Sequence, residues 1–316
     1  MDSVWVALKR SINCQPEPSD VVNPNRIRGR KPFLCGSCCS NARDIIHVDK
    51  RRTEKKPTTC LTKVPSDISC SLDAGSHGFF CHKCGGKFSD SEAVESHHLS
   101  KHAIVELAKG NSTRKIVELI CQRSEINSKN SCQGIERVLK VQNMQRTIHE
   151  FEGYREMVKI KAGNISEENS RNTVDGNEVL MFYGAAVACS LGMNRTSNLC
   201  TLDQCGLCKI LRHGFSLKKE SNGVMGVFTS SISKSAFEHI EVDKENQTLK
   251  KALIVCRVIA GRVHRPLEIS QEIQDPSCFD SIAGKLGPDS DIEELYSLNS
   301  RALLPCFVVI FKVQIL

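Results

Sequence analysis

The chain has 316 residues, with 43 Lys and Arg against 36 Asp and Glu, and 17 cysteines. This length allows one sizeable domain with smaller units beside it, and no apolar run approaches the roughly 18 residues of a membrane span. The start lacks a signal-peptide pattern, because Lys9 and Arg10 interrupt its apolar run. We therefore expect a soluble intracellular protein with reduced cysteines, which excludes a secreted disulfide scaffold and predicts no membrane partner.

Residues 1–75 are predicted to form a basic, largely disordered tail. Residues 1–63 hold 13 Lys and Arg against 6 acidic residues, and six of the ten prolines lie before residue 66. The clusters RIRGRK (26–31) and KRRTEKK (50–56) are typical of nuclear import signals or of nucleic-acid contacts. The tail therefore predicts a nuclear location and leaves open a nucleic-acid partner across 26–56, with a solvated linker as the alternative.

Residues 76–106 are predicted to form a small ββα zinc finger of the C2H2 type. The segment FFCHKCGGKFSDSEAVESHHLSKH has the spacing Cys-x2-Cys-x12-His-x4-His, and its zinc ligands are Cys81, Cys84, His97 and His102. His98 also lies at finger spacing from His102, but only His97 keeps the interval from Cys84. Two thiolates on a turn and two imidazoles about one helical turn apart complete a tetrahedral zinc shell. Because so small a unit has little core, we expect metal binding to supply its folding energy.

The finger helix lacks the residue types that read bases directly. Ser89 and Glu92 have the spacing of a capping box, which starts the helix near Asp90. The three positions that face bases in a DNA-reading finger are then Asp90, Ala93 and Ser96, and none is Arg, Lys, Asn or Gln. One finger also covers only about three base pairs. We therefore predict a structural or protein-binding finger, with DNA contact as the alternative.

Helices and then strands are predicted beyond the finger. Asn111 and Ser112 are cap candidates before the apolar period of NSTRKIVELICQ, and 135–163 has the pattern of a second helical stretch that ends at Gly163. After Asn177 the strand-like runs are NEVLMF, GVFTSS, ALIVCRVIAG and LLPCFVVIF. We predict an α+β fold with helices packed on a mostly antiparallel sheet.

Residues 112–316 resemble, in successive segments, the ADP-ribosyltransferase domain of the poly(ADP-ribose) polymerase type. IERVLKVQNMQRTIHEFEGYREMVK looks like that family's opening strand and helix, and NEVLMFYGA is similar to its NE-x-x-LFHGT. CGLCKILRHGF, GVFTSSISKSAF, ALIVCRVIAGR, FDSIAG and LLPCFVVIF match later segments in order. With its single finger the chain resembles a group of plant C2H2 zinc finger proteins. The resemblance implies a helix-flanked, split antiparallel β-sheet and NAD as its ligand.

The resemblance also implies that the catalytic triad is degenerate. The family uses a His on the nicotinamide ribose, a Tyr stacked on nicotinamide and a Glu that polarises the ribose, and these positions carry Tyr183, Phe228 and Cys306. A phenyl ring can still stack, but a neutral thiol offers neither the carboxylate charge nor its two acceptor oxygens. Losing a group that stabilises developing charge commonly costs about 10²–10³ in rate. Efficient transfer is therefore not expected.

Other positions of the NAD site are retained, and simpler interpretations stay open. Gly184 and Ser235 match the family's glycine and serine that bind the carboxamide, while the next aromatic is replaced by Glu238, or by Phe237 if the register slips. NAD binding is thus left open. The three triad positions also suit ordinary core side chains. A separate metal site is an alternative for the set Cys200, Cys205, Cys208 and His213.

These patterns predict a zinc-binding nuclear protein that acts as a binding, scaffold or regulatory factor with protein partners. Its transferase-like domain is predicted to be a pseudoenzyme. The enzyme alternative is an NAD-dependent mono-ADP-ribosyltransferase. The second alternative is a DNA-binding transcription regulator.

Overall fold

The computed structural model describes residues 79–123, 134–164, 170–193, 196–220, 223–241, 249–266, 278–287 and 291–312. The predicted basic tail 1–75 lies outside these ranges. Among the described helices, none is long and apolar enough to cross a membrane.

The first described elements are a short hairpin and a helix. β1 (Phe79–Phe80) and β2 (Lys87–Phe88) pair in antiparallel register. The turn between them requires Gly85, because its φ of +72° lies in the left-handed region that side chains disfavour. Helix α1 (Ser91–Lys101) follows. The order strand, strand, helix is the one that the Cys and His spacing predicts.

The chain runs from α1 directly into the edge of a large sheet. β3 (Ile104–Glu106) pairs antiparallel with β4 (Ile135–Val141), and the amide of Leu107 extends this ladder to the carbonyl of Val138 (2.9 Å). All described residues belong to one compact unit. The hairpin, α1 and the sheet are therefore parts of a single packed body.

The predicted first helix beyond the finger is confirmed, and the second prediction is half wrong. α2 (Ser112–Arg123) is capped by Asn111, whose side-chain oxygen accepts the amides of Thr113 and Arg114 at 2.8 and 3.2 Å. Residues 135–141 form β4 rather than a helix, because their backbone pairs with a strand on each side and their apolar side chains are buried on the faces of the sheet. The helix in this stretch, α3 (Gln145–Asn164), runs past Gly163, which is not left-handed and is not the predicted C′ residue.

All four strand-like runs after Asn177 form strands, with shorter strands between them. These strands are β5 (Glu178–Val187), β6 (Lys218–Lys219), β7 (Met225–Ser230), β8 (Lys250–Ile259), β9 (Val263–His264), β10 (Ser281–Leu286), β11 (Ile292–Ser297) and β12 (Leu303–Phe311). The helices here are α4 (Ser170–Asp175), α5 (Gly206–His213) and α6 (Ser233–Glu238), with a 3-10 turn at Ser300–Ala302.

The large sheet has the strand order β3-β4-β12-β8-β5-β7-β11-β10-β9, and β6 pairs with β7. Among the described pairings, only β9 with β10 is parallel. β5 pairs with β8 along its whole length, from Glu178 opposite Ile259 to Val187 opposite Lys250. On its other side, β5 meets β7 through the single pair Phe182 and Ser230. The sheet is therefore open between β5 and β7 beyond Phe182.

The central strands are buried on both faces. Neighbouring residues of β5 and β8 enter different apolar clusters: Met181 and Ile254 lie in the first cluster, and Phe182 and Val255 lie in the second. The first cluster packs against α3 and α5, and the second packs against α2 and α6. Each such buried side chain contributes about 1.5–3 kcal/mol of transfer free energy. The predicted arrangement of helices on a mostly antiparallel sheet is confirmed.

A buried carboxylate ties α3 to the sheet. Glu178 is 1% exposed and accepts hydrogen bonds from Arg155 and from Arg257, the latter at 2.8 and 3.2 Å. Both guanidinium groups also lie over the ring of Phe151, 5.2 and 5.1 Å from its centroid. A buried charge in such a network depends on its partners, so the loss of any member is costly.

Candidate functional site

The structure brings the four predicted finger ligands together. One ligand atom from each of Cys81, Cys84, His97 and His102 lies within 4.8 Å of the others. Cys84 Sγ is 3.2 Å from His97 Nε2, which is 3.0 Å from His102 Nε2. A tetrahedral ion with bonds of about 2.0–2.3 Å places its ligand atoms about 3.3–3.8 Å apart, so these separations agree within a few tenths of an ångström. The four side chains can hold one metal ion.

The surroundings of Cys81 and His102 favour the forms of these side chains that bind metal. Burial raises the pKa of the Cys81 thiol, but hydrogen bonds from the amides of Lys83 and Cys84 outweigh it and leave the pKa lowered, which favours the thiolate. Burial lowers the pKa of His102, with a smaller contribution from His97, and this favours the neutral imidazole. Thiolate and neutral imidazole are the forms that bind zinc.

His98, the other histidine considered from spacing, has a different contact. Its Nε2 lies 2.6 Å from the carbonyl oxygen of Gln142, which follows β4, and its side chain is buried. Burial lowers the pKa of His98. A neutral His98 with the proton on Nε2 donates this hydrogen bond. His98 therefore joins α1 to the sheet.

The helix start agrees with the prediction, but the capping residue differs. Asp90 caps α1 by accepting the amide of Ala93 at 2.7 Å, and Ser89 donates its hydroxyl to the same carboxylate at 2.7 Å. The predicted capping box of Ser89 with Glu92 is wrong, because a carboxylate is a stronger acceptor at the positive end of a helix. The bond from Ser89, followed by that from Ala93, lowers the pKa of Asp90. The Asp90 carboxylate is therefore already hydrogen-bonded within the helix cap. Asp90 is the first of the three positions that would face bases.

α1 is fixed on the body of the protein by contacts at its C-terminal half. Its last turns accept hydrogen bonds from a single loop: Leu199 donates its amide to Leu99 O (3.4 Å), and Ser197 donates its hydroxyl to Lys101 O (2.9 Å). Nearer the helix start, Glu95 pairs with Arg146 at 3.6 Å. α1 is therefore held in one orientation relative to the sheet.

At the opening between β5 and β7, Tyr183 packs against the protein's own side chains. Its ring meets that of Phe215 edge-on, with centroids 5.2 Å apart. Burial raises the pKa of Tyr183 to about 12, so the phenol is neutral at physiological pH. The hydroxyl stays a donor and acceptor, but the ring belongs to the edge of the first apolar cluster.

Gly184 is covered by α6. A Cβ atom added to it would lie 2.2 Å from the carbonyl oxygen of Ala236 and 2.5 Å from Ile240 Cγ1. Contacts this short leave no space above the glycine for a ligand atom. Glycine is required here because α6 approaches β5 so closely.

Ser235 and Phe228 have partners within the chain. Ser235 donates its hydroxyl to a carboxylate oxygen of Glu294 at 2.7 Å. The ring of Phe228 stacks on His239, with centroids 3.9 Å and planes 24° apart, and also contacts Tyr296 at 5.4 Å. One face of the Phe228 ring is therefore already in use by an aromatic partner.

Cys306 and the two candidates for the next aromatic position also have contacts within the chain. Cys306 is buried in the second apolar cluster and donates to Leu304 O at 3.4 Å. Phe237 packs edge-on against Phe311, with centroids 5.1 Å apart, and Glu238 pairs with Lys234 at 3.8 Å. Tyr183, Phe228 and Cys306 thus belong to three different apolar clusters.

An open cleft occurs elsewhere, where α1 meets the body. It lies between α1, α3 and α5, and its lining includes the charged residues Glu95, Arg146 and Arg212. None of Tyr183, Gly184, Phe228, Ser235 and Cys306 lines this cleft.

The second metal site considered from the sequence, with Cys200, Cys205, Cys208 and His213, differs in the structure by one residue. Cys200, Cys205 and Cys208 converge as the spacing suggests, but the fourth residue of the group is Cys189 and not His213. Sequence reasoning missed Cys189 because ten residues separate it from Cys200 and the chain must turn back after β5 to bring it close. The pair Cys205-x2-Cys208 was the sequence signal for a metal site in this region.

Comparison of the chain with protein-family models and with curated proteins finds no match.

Proposed function

We propose that this chain is a nuclear zinc protein that acts by binding or scaffolding, through a C2H2 finger fixed to a catalytically degenerate ADP-ribosyltransferase-like domain. The observation that carries the proposal is the packing at the NAD positions. α6 and Ile240 cover Gly184, and His239 occupies a face of Phe228. A domain that has filled these positions with its own side chains is better suited to present a surface than to turn over NAD.

The chemistry of the triad positions supports the same conclusion. Cleavage of the nicotinamide bond develops positive charge on the ribose, and a carboxylate beside it stabilises that charge. Cys306 is buried among apolar side chains and donates to a backbone carbonyl. A thiol in that setting supplies no negative charge, so the loss expected from one such group is about 10²–10³ in rate.

The transferase-like assignment rests on the sheet as well as on the sequence resemblance. The opening between β5 and β7 begins after Phe182, next to the Tyr183-Gly184 pair that corresponds to the family's His-Gly. An opening of the sheet at this point agrees with a split β-sheet. In this chain α6 covers Gly184 on the face of the sheet beside this opening.

Zinc is proposed for the finger because its donor set is two sulfurs and two imidazole nitrogens at tetrahedral spacing. Cys81, Cys84, His97 and His102 would hold it, and with all four positions filled by protein the ion would be structural. A closed shell of this kind leaves no open position for catalysis.

A protein partner is favoured over DNA for the finger. Asp90 and Ser96 are exposed and Ala93 is half-buried, so two base-facing positions present an acid and a short hydroxyl. The hairpin instead exposes Phe79 and Phe80, at 44% and 46% of their surface. Exposed aromatic side chains are typical of protein contacts, while base reading uses Arg, Lys, Asn and Gln.

Calorimetric titration of the full chain with NAD and with a nicotinamide analogue, together with incubation in labelled NAD, tests the proposal. We expect no binding heat at millimolar ligand and no transfer of label. Label on the protein or on an added acceptor that disappears in Tyr183→Ala would show instead that the domain is an active transferase. A sequence-specific gel shift that Cys81→Ser abolishes would favour the DNA-binding alternative.

A further inference from the structure

Four cysteines from β5's end, the following loop and α5 converge in the structure. Cys189 follows β5, Cys200 lies in the connecting loop, Cys205 directly precedes α5, and Cys208 lies in the first turn of that helix. Their sulfur atoms all lie within 4.8 Å of one another. Cys205 and Cys208 are buried, and Cys189 and Cys200 are half-buried.

The sulfur separations match those around a single ion. Cys189 Sγ is 3.7 Å from Cys205 Sγ and 3.6 Å from Cys208 Sγ. A zinc ion with four sulfur bonds of about 2.3 Å at tetrahedral angles places the sulfurs about 3.8 Å apart. A disulfide needs a separation of about 2.05 Å, so the observed spacing is not that of a bonded pair. We propose that Cys189, Cys200, Cys205 and Cys208 bind a second, structural zinc ion.

The backbone around the sulfurs is arranged for thiolate ligands. The amide of Leu191 hydrogen-bonds to Cys189, and the amides of Cys208 and Ala188 hydrogen-bond to Cys205. Cys205 directly precedes α5, where the helix dipole also favours negative charge. Donors of this kind offset the negative charge that four thiolates bring to one divalent ion.

Other buried cysteines of the chain provide the contrast. Cys256 and Cys306 each donate to a carbonyl two residues back in their own strand, at 3.6 and 3.4 Å. Neither belongs to a group of potential metal ligands in the described residues. Cys256 and Cys306 thus fill core volume and contact their own backbone, unlike the four convergent cysteines.

The second site would stabilise the surface on which the finger rests. The loop that carries Cys200 also contains Ser197 and Leu199, which donate to the last turns of α1. Arg212 of α5 donates to the carbonyls of Leu199 and Cys200. An ion that joins β5, this loop and α5 would thus fix the position of the loop against α1. This role is independent of whether the transferase-like domain binds NAD.

Zinc content of the purified full chain tests the proposal directly. We expect wild-type protein to hold about one more zinc equivalent than either Cys84→Ser or Cys208→Ser, and about two more than the double variant, since each site holds one ion. Cys256→Ser, which alters a buried cysteine outside both groups, should keep the wild-type content. If wild-type protein holds a single equivalent, or if Cys208→Ser loses none, the second site does not exist.

Cobalt substitution gives a second readout that separates the two sites. The sulfur-to-cobalt charge-transfer band grows with the number of thiolate ligands, which is two in the finger and four in the second site. The band should therefore lose about twice as much intensity in Cys208→Ser as in Cys84→Ser. Equal losses would overturn the four-cysteine assignment. If Cys208→Ser fails to fold, the Cys84→Ser protein still decides the question, because it should keep about one zinc and a band of four-thiolate character.

Two other chemistries predict different results in the same samples. Iron with acid-labile sulfide in the purified chain, in place of the second zinc, would identify an iron–sulfur cluster and refute the zinc assignment. Loss of two alkylatable thiols without reductant, restored by reduction and absent in Cys208→Ser, would identify a disulfide and also refute it.

Discussion

Replacing Gly184 with alanine tests whether α6 covers this glycine, at the point where β5 and β7 separate. The added Cβ would lie 2.2 Å from the carbonyl oxygen of Ala236 and 2.5 Å from Ile240 Cγ1. The nearer atom belongs to the backbone, so the strand and the helix must separate. Overpacking of this kind costs about 1–3 kcal/mol, and we expect the upper part of that range.

Urea denaturation of the full chain measures this cost. With a slope of about 2–3 kcal/mol per M, a loss of 2–3 kcal/mol lowers the unfolding midpoint by about 1 M, and the slope should not change. Gly153→Ala is the matched control, because no atom lies within 4 Å of a Cβ added at this position in α3. That change should stabilise the protein by about 0.5–1 kcal/mol. If Gly184→Ala has the same urea midpoint as the wild type, α6 does not cover Gly184, and the position corresponding to the family's NAD pocket has space for a ligand.

Three further predictions follow from the buried and titrating groups. Glu178→Gln removes the charge between two guanidinium groups and should cost about 3–5 kcal/mol in denaturant unfolding, whereas Glu156→Gln on the surface should cost under about 1 kcal/mol. Burial raises the pKa of Tyr183 to about 12, against about 10 in the unfolded chain. The neutral phenol therefore stabilises the fold fully below about pH 10, and this stabilisation is lost as the pH rises towards 12. In Tyr183→Phe the free energy of unfolding should fall less steeply between pH 9 and 11 than in the wild type. His98→Ala should lower the unfolding midpoint while the protein keeps its zinc, and His97→Ala should lose about one zinc equivalent; equal zinc loss in both variants would contradict the assigned ligands.

The sequence predicts the elements that depend on local patterns. The strands after Asn177 have long runs of β-branched and apolar residues, and the structure has a strand at each of them. Two predictions differ at β4: the pattern of 135–163 favours a helix, whereas the family resemblance implies a strand and then a helix. Pairing with β12 and β3 decides in favour of the strand. The two-residue strands β6 and β9 have no local signal at all, since they depend on neighbours that fold elsewhere in the chain.

The convergence of Cys81, Cys84, His97 and His102 could be predicted because their spacing is fixed by one turn and one helix. The attachment of α1 to the body could not, since His98 reaches Gln142 and the last turn of α1 reaches Ser197. These contacts join residues that are far apart in sequence, so no local pattern or spacing in the sequence indicates them. Cys189 lies closer to its partners in sequence, but its interval from Cys200 is irregular and only the turn of the chain after β5 brings the two together.

The short strand β3 covers the outer edge of β4. It begins two residues after His102, one of the four side chains proposed to hold the finger metal. An uncovered edge of a strand with buried valine and leucine side chains is a template for pairing with another copy of the chain. Chelation of the finger metal should release β3, so metal-depleted protein is expected to self-associate through β4 before the rest of the sheet unfolds.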